Sequence, residues 1–349
     1  MRSAPADRVR ELAGPGVPLG VPPDAGVPVL QVDDLSVAYQ TRRGDVTAVD
    51  GVSFDLARGE FLGIVGESGC GKSTLLFAIA QLLAPPAQVT GGCVSFKGTD
   101  LTELTERQLA AIRWKELSVV MQSAMNALNP VKSVGSQFAD AMRAHGVSSK
   151  REIAQRSAEV LAMVGIDGAH LKSYPHQLSG GMRQRSMIAM ALLFTPDLVI
   201  MDEPTSALDV VAQRSLMVQI KELQAELGFA IIFVTHDMSL VSHFSDRLMV
   251  MYAGQVAEFG PTRRVFDAPL HPYSVGLLDA FPSIRGPQVP LTGIPGSPPD
   301  LAKLPGGCRF APRCQKVMPA CETTAPPLYQ VDDIQVRCLL QAGRGPAGD

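Results

Sequence analysis

The sequence predicts an α/β fold with a central, largely parallel sheet, on the basis of three observations. Short, wholly apolar runs are typical of parallel strands buried on both faces, and Phe61–Val65 and Leu198–Met201 are two such runs. The first leads directly into Gly66–Ser73, which has the phosphate-loop pattern G-x-x-x-x-G-K-[ST]. The second ends in two carboxylates, Asp202 and Glu203, where parallel sheets place their ligands.

Length and composition allow one large domain or two smaller ones, with 46% apolar residues among 349. The net charge of −3 gives no electrostatic reason to expect a nucleic-acid partner. No apolar run approaches the roughly 18 residues of a membrane-spanning helix, and the N-terminus lacks a secretory signal pattern. We therefore expect a cytosolic protein.

The pattern along the chain begins with residues 1–28, which are rich in Pro, Gly and Ala and predict a flexible N-terminal extension. Strands are predicted at Val29–Val32, Leu35–Tyr39 and Thr47–Asp55, and a helix within Lys150–Val164. Further strands are predicted at Asp197–Met201, Phe229–Thr235, Arg247–Tyr252 and Gln255–Phe259.

The phosphate loop predicts contacts with a nucleotide. Its glycines allow backbone N–H groups to surround the α- and β-phosphates, while Lys72 reaches the β- and γ-phosphates and Ser73 binds Mg²⁺. The predicted nucleotide-contacting residues of this segment are Gly66, Glu67, Ser68, Gly69, Cys70, Gly71, Lys72, Ser73 and Thr74.

The acidic pair supplies what phosphoryl transfer needs beside a phosphate loop. We expect Asp202 to hold Mg²⁺ opposite Ser73, through water. Glu203 is expected to orient the attacking water and take its proton.

A second glycine motif, Leu178–Arg185, identifies a family. Its Leu-Ser-Gly-Gly sequence resembles the signature of the ATP-binding-cassette family, with Met182 in the usual Gln position, and the resemblance covers about Val29 to Pro269. It implies that Ser179 and the Gly180–Gly181 amides face a nucleotide bound by another subunit.

Three smaller features occur in the order that this resemblance requires. Gln122 resembles the family's Gln-loop residue, which contacts Mg²⁺ and the lytic water, and His236 resembles the switch histidine at the γ-phosphate. Ser206–Asp209 resembles the loop at the dimer interface, which assigns Asp209 to the nucleotide site. Tyr39 either stacks on adenine or is a half-buried strand aromatic.

Four cysteines near the C-terminus predict a metal site: Cys308, Cys314, Cys321 and Cys338. Thiolates in a loop rich in Pro and Gly can surround a [4Fe–4S] cluster, although the spacing alone also allows zinc or free thiols. We expect the iron–sulfur cluster.

The same region, residues 271–349, is called the C-terminal extension here. Three of its motifs, His271–Tyr273, Ile294–Pro299 and Gly307–Cys314, resemble oligopeptide/dipeptide-type importer ATPases, whose members with this cysteine spacing hold the cluster. The extension has no phosphate-contacting motif. We therefore expect its loss to affect ATP hydrolysis less than changes in the nucleotide site.

The resemblance implies a RecA-like P-loop NTPase core with an antiparallel β subdomain, a helical subdomain and a loop-rich extension. The cassette domain is expected at residues 29–270, with the helical subdomain at about 124–185. Membrane subunits are expected to dock near Met125–Pro130, which resembles the peptide-importer version.

The implied function is ATP hydrolysis that drives an importer at the cytoplasmic face of the membrane. The implied partners are a second ATPase subunit (identical or paralogous), two permeases and an extracytoplasmic substrate-binding protein. An oligosaccharide importer of the same subfamily is the alternative. A non-transport cassette ATPase is disfavoured because the chain has no long coiled-coil or zinc-hook insertion and only one cassette.

Overall fold

The structure is a computed structural model that describes residues 28–42, 44–122, 127–206, 208–280 and 293–343. All but the last residue of the predicted N-terminal extension lies outside the described residues. So do residues 125 and 126 of the predicted docking segment and Ala207 of the predicted interface loop.

Strands and helices are interspersed along the described residues. In chain order the strands are β1 (Leu30–Thr41), β2 (Gly44–Leu56), β3 (Phe61–Val65), β4 (Ala87–Phe96), β5 (Thr99–Asp100), β6 (Leu117–Val120), β7 (Leu198–Asp202), β8 (Ala230–Val234), β9 (Arg247–Tyr252), β10 (Gln255–Pro261), β11 (Tyr329–Val331) and β12 (Ile334–Val336). The α-helices are α1 (Lys72–Ile79), α2 (Glu106–Ile112), α3 (Val134–Ala144), α4 (Lys150–Met163), α5 (Gly180–Ala191), α6 (Val210–Leu227), α7 (Met238–Phe244), α8 (Thr262–Asp267), α9 (Pro272–Asp279) and α10 (Pro319–Thr323).

The first sheet is four-stranded, in the order β2-β1-β4-β5, and its strand pairs are antiparallel. The two strands predicted at Val29–Val32 and Leu35–Tyr39 form one continuous strand, β1. The register of β1 shifts between Val32 and Leu35, where Asp34 has a φ of 47°. This bulge absorbs the two acidic residues that interrupt the apolar pattern, so the strand continues through them.

The second sheet has eight strands in the order β11-β12-β10-β9-β3-β8-β7-β6. Its centre is parallel: β3 pairs with β8 and β9, and β7 pairs with β6 and β8. Every residue of β3, β7 and β8 is buried, as the wholly apolar runs predict for strands that are covered on both faces. The α/β prediction is confirmed, and the carboxyl ends of these three strands meet at one edge.

Helices α3, α4 and α5 follow the β6 segment and pack together. Their apolar faces join the largest core cluster through side chains such as Phe138, Val160 and Ile188, which are at most 1% exposed. Each of the three helices begins with a serine N-cap whose hydroxyl accepts a backbone N–H from its first turn. The limits of a helical subdomain at about 124–185 remain a prediction.

The C-terminal extension contributes strands to the second sheet, which its proline-rich sequence did not indicate. Strand β12 pairs antiparallel with β10 through Glu258 with Val336 and Phe259 with Gln335. The hairpin of β11 and β12 thus covers the outer edge of β10. At its turn, Asp332 and Asp333 form ion pairs with Arg264 of α8.

A buried histidine begins the extension. The side chain of His271 is 3% exposed, and its Nδ1 accepts the backbone N–H of Tyr273 at 2.9 Å, which caps α9. The carboxylate of Glu258 in turn accepts the N–H groups of Leu270 and His271. Burial lowers the pKa of His271 to about 4 from an ordinary 6.5, and burial raises the pKa of Glu258.

We expect the free energy of unfolding to decrease as the pH falls from about 6.5 towards 4, because the unfolded state protonates His271 and the folded state does not. The contribution of Glu258 to the pH dependence has the opposite sign, because its raised pKa stabilises the folded state at low pH. The contribution of His271 is isolated with His271→Asn, which keeps a side-chain acceptor for the helix cap. Denaturant unfolding at several pH values should show a weaker loss of stability in the variant. Equal pH dependence in both proteins would contradict the assignment.

Among the described helices, none is long and apolar enough to cross a bilayer.

Candidate nucleotide site

The phosphate loop connects β3 to α1, as its sequence context predicted. Two of its glycines lie where no other residue fits. A Cβ atom on Gly66 would lie 2.3 Å from the carbonyl oxygen of Met251, and one on Gly71 would lie 2.2 Å from that of Ala48. Both residues also have positive φ angles, of 153° and 104°. The loop is therefore fixed by close backbone contacts on two sides.

The side chain of Lys72 is buried within this loop. Its Nζ donates to the carbonyl oxygens of Gly66 at 2.8 Å and Glu67 at 3.0 Å, and it lies 3.7 Å from the sulfur of Cys70. Burial raises the pKa of the Cys70 thiol. The loop thus curls around a single ammonium group, which is the arrangement that a phosphate-binding lysine requires.

Asp202 ends β7, and its carboxyl group lies near Ser73 of the phosphate loop. Burial raises the pKa of this carboxyl group, while the nearby Ser73 hydroxyl opposes that shift. Its Oδ1 is buried and, among the described residues, has no hydrogen-bond partner. A buried carboxylate oxygen without a partner, next to a serine hydroxyl, is a donor set that suits Mg²⁺.

The side chain of Glu203 contacts the other two predicted catalytic side chains, those of Gln122 and His236. Its Oε2 accepts from Nε2 of Gln122 at 2.9 Å, and its Oε1 lies 3.4 Å from Nδ1 of His236. Gln122 follows β6 and His236 follows β8, so the carboxyl ends of neighbouring strands supply all three. The φ of Glu203 is 46°, which is uncommon for a residue with a Cβ and is found at functional sites.

Tyr39 joins the site through a 3.0 Å hydrogen bond between its hydroxyl and that of Thr74. Two other residues, which were predicted to lie at a nucleotide, cap the helices that follow them. Ser179 caps α5 and Asp209 caps α6, each by accepting a backbone N–H of the first turn. In the described ranges, no hydrogen bond connects Ser179–Gly181 with the phosphate loop.

Sequence reasoning missed two side chains of the extension that contact the phosphate loop. Arg313 forms two hydrogen bonds with the carboxylate of Glu67, and the hydroxyl of Tyr273 accepts the N–H of Glu67 at 2.9 Å. Arg313 and Glu67 are 246 positions apart, and no periodic pattern links them. The only available signal was an arginine within the otherwise uncharged Phe310–Cys314.

The prediction of an iron–sulfur cluster on Cys308, Cys314, Cys321 and Cys338 is wrong. In the part of the chain that the structure describes, no three His, Cys, Asp or Glu side chains form a group that could hold a metal ion. Cys308 and Cys314 pack against the largest core cluster, whereas Cys338 packs with β11 and β12. Burial raises the pKa of Cys308 and Cys314, and that of Cys338 to about 11, so these side chains are thiols at neutral pH when no metal is bound.

A phosphate loop, a buried acidic strand end and three converging polar side chains on a parallel sheet define a P-loop NTPase. Residues 49–206 match the ABC transporter family, and residues 257–321 match the oligopeptide/dipeptide transporter C-terminal region. The chain belongs to the ABC transporter family and is one of its ATPase subunits, which confirms the predicted family and enzyme class.

Relatives match across almost the whole chain. The oligopeptide transport ATP-binding protein OppD of Salmonella typhimurium is 46% identical over 90% of this chain and 93% of its own length. The dipeptide transport ATP-binding protein DppD of Bacillus subtilis is 45% identical over 90% of this chain and 96% of its own. The likeness therefore includes the C-terminal extension as well as the cassette.

Solved structures confirm the RecA-like fold. A dimeric ATP-binding cassette, MJ0796, solved with ADP and Pi, has a TM-score of 0.60 and 29% identity, and the match covers 67% of this chain and 98% of that one. The protein cbiO1 from Clostridium perfringens, part of the transporter complex cbiONQ, also has a TM-score of 0.60, with 30% identity over 70% of this chain and 92% of its own.

Proposed function

We propose that this chain hydrolyses ATP to drive the import of oligopeptides or dipeptides. The observation that carries the ATPase reaction is the carboxylate of Glu203 between Gln122 and His236, next to the phosphate loop. The substrate class is supported by relatives at 41–46% identity that are named for oligopeptide or dipeptide transport.

The proposed reaction uses the groups of the site in distinct roles. The loop amides and Lys72 bind the phosphates of ATP, and Ser73 and Asp202, with Gln122, hold Mg²⁺. When bound, Mg²⁺ neutralises charge on the phosphate oxygens. Glu203 orients the attacking water and takes its proton, and His236 contacts the γ-phosphate. The support is that the fixed loop, the unpartnered oxygen of Asp202 and the Glu203 contacts all lie at one sheet edge.

We further propose that a second ATPase subunit completes each site. Ser179 and the Gly180–Gly181 amides would face the nucleotide on the partner, and the loop before Asp209 would lie between the subunits. In support, residues 179–181 form the N-terminus of α5, which suits an anion. The hydroxyl of Ser179 accepts the N–H of Met182 in this helix, and among the described residues it makes no hydrogen bond with the phosphate loop of its own chain. The partner is a second copy or a paralogue.

The remaining partners are two permeases and an extracytoplasmic substrate-binding protein, which place the chain peripherally at the cytoplasmic face of the membrane. We propose a cassette at residues 29–270, a helical subdomain at about 124–185, permease docking near residues 125–130 and an extension at residues 271–349. The helices α3, α4 and α5 and the match of residues 257–321 support this division.

The oligosaccharide importer is a second candidate, and uptake distinguishes the two. In cells that lack this chain, we expect uptake of labelled di- and oligopeptides to be lost, to return with the wild-type chain and to stay absent with Glu203→Gln. Uptake of a labelled oligosaccharide in the same cells is the control. Loss of oligosaccharide uptake with normal peptide uptake would overturn the peptide assignment. Normal uptake of both would overturn the transport role.

A further inference from the structure

The side chain of Glu67 in the phosphate loop is held by the C-terminal extension. Nη1 of Arg313 lies 2.6 Å from Oε2 of Glu67, and Nη2 lies 2.9 Å from Oε1. These parallel bonds form the bidentate geometry in which arginine binds a carboxylate most strongly. The side chain of Arg313 is only 5% exposed, so water screens the pair weakly.

The backbone of Glu67 is held as well. Its N–H donates to the hydroxyl of the fully buried Tyr273, and its carbonyl oxygen accepts from Nζ of Lys72 at 3.0 Å. One residue thus connects the extension to the lysine predicted to contact the β- and γ-phosphates. A displacement of Glu67 would be transmitted to Lys72 through this carbonyl.

The side chain of Arg313 is also held in position by residues other than Glu67. Its Nε donates to the carbonyl oxygen of Pro295 at 2.8 Å, and its guanidinium lies 5.8 Å from the ring centroid of Tyr252. Tyr252 packs at the same time against Tyr273 and Phe310. The three motifs of the extension that the sequence singled out therefore meet behind the phosphate loop.

A second arginine of the extension, Arg309, supports the other end of the loop. It bonds to the carboxylate of Asp50 and to the carbonyl oxygen of Ala253. The neighbouring Gly254 donates its N–H to the carbonyl oxygen of Cys70 at 2.9 Å, and its own carbonyl accepts from Asp50. The extension thus contacts the loop at Glu67 and, through this segment, at Cys70.

We propose that Arg313 is a positioning residue for ATP binding: its fork holds the Glu67 carboxylate paired and in place, so that this negative charge does not oppose the triphosphate. The inference rests on the proposed function of the loop. Without Arg313, the Glu67 carboxylate would remain unpaired in a loop that has to bind the negatively charged phosphates of ATP. Like charges at this distance repel each other, so ATP would bind more weakly. On this proposal the C-terminal extension supports the nucleotide site through Arg313, although it contains no phosphate-contacting motif.

The test is a double-mutant cycle on the full chain, with the Kd for MgATP and the KM and kcat of hydrolysis as readouts. We expect Arg313→Gln to raise Kd and KM about tenfold with a smaller effect on kcat, because the freed carboxylate repels the nucleotide. Adding Glu67→Gln should restore the Kd to within about threefold, because it removes that charge. A purely structural contact would not be rescued, since the double variant still lacks the ion pair.

The matched control is Arg264→Gln, which breaks another ion pair between the cassette and the extension, to Asp332 and Asp333, without touching the loop. It should leave the Kd unchanged. Thermal unfolding of every variant checks the fold. If Arg313→Gln does not fold, Arg313→Lys, which keeps the charge but loses the fork, should raise the Kd about threefold.

Three results would overturn the proposal: wild-type affinity in folded Arg313→Gln or Arg313→Lys, no recovery in the double variant, or an equal loss in Arg264→Gln. Failure of the wild-type chain itself to bind MgATP would overturn the proposed function together with this inference. The two failures are therefore distinguishable.

Discussion

Replacing Glu203 with Gln is expected to stop ATP turnover and to leave ATP binding nearly intact. The amide keeps the shape of the carboxylate between Gln122 and His236 but cannot take a proton from water. Loss of a general base typically lowers kcat by about 10²–10⁴-fold. Phosphate release and the Kd for MgATP, measured on the same preparation, separate the two effects.

The matched control is Glu226→Gln, which removes an exposed carboxylate of α6 that lies outside the nucleotide site. It should hydrolyse ATP at the wild-type rate. If Glu203→Gln also hydrolysed ATP at a near-normal rate, another group would have to be the base. With ATP and no turnover, the Glu203→Gln chain and its partner subunit should accumulate as a dimer in light scattering.

The second large effect is expected from Lys72→Ala, which should weaken ATP binding itself. The variant removes the one ammonium group around which the loop closes, at Gly66 and Glu67. A charge-assisted hydrogen bond contributes about 1.5–3 kcal/mol, which corresponds to a Kd about 10- to 100-fold higher. Titration with a fluorescent ATP analogue measures this change directly.

Lys97→Ala is the control for charge alone, because Lys97 pairs with Glu116 and Asp197 at the surface. It should bind ATP normally. A Lys72→Ala chain that bound ATP as tightly as the wild type would contradict the phosphate-binding role of the loop. The contrast with Glu203→Gln is informative, because one variant should lose binding and the other only turnover.

The parts of the fold that the sequence predicted are those set by local pattern. Strands β3 and β8 are wholly apolar runs, and β7 is apolar up to Asp202. Each run leads into polar residues at its carboxyl end, so both the sheet and the expected place of the site follow from the sequence. The left-handed backbone of Glu203 and the bulge at Asp34 follow from tertiary packing and have no local signal.

Contacts between segments that lie far apart along the chain could not be predicted from the sequence. Strands β11 and β12 are three residues each, too short for an alternation to be recognised, and the Arg313–Glu67 pair depends on how the extension folds back. For the cysteines, the sequence instead predicted a metal site that the described residues do not form. Their spacing suits a metal, but spacing does not reveal that Cys338 packs in a different apolar cluster from Cys308 and Cys314.

The pairing of β12 with β10 has a consequence for biosynthesis. Because β10 is completed at Pro261 and its outer neighbour β12 only at Val336, the cassette emerges from the ribosome with one sheet edge open until the extension is made. An open edge strand is a template for association with other chains. A chain that terminates before Tyr329 keeps that edge permanently, so a premature stop upstream of this residue should yield aggregates rather than a trimmed ATPase.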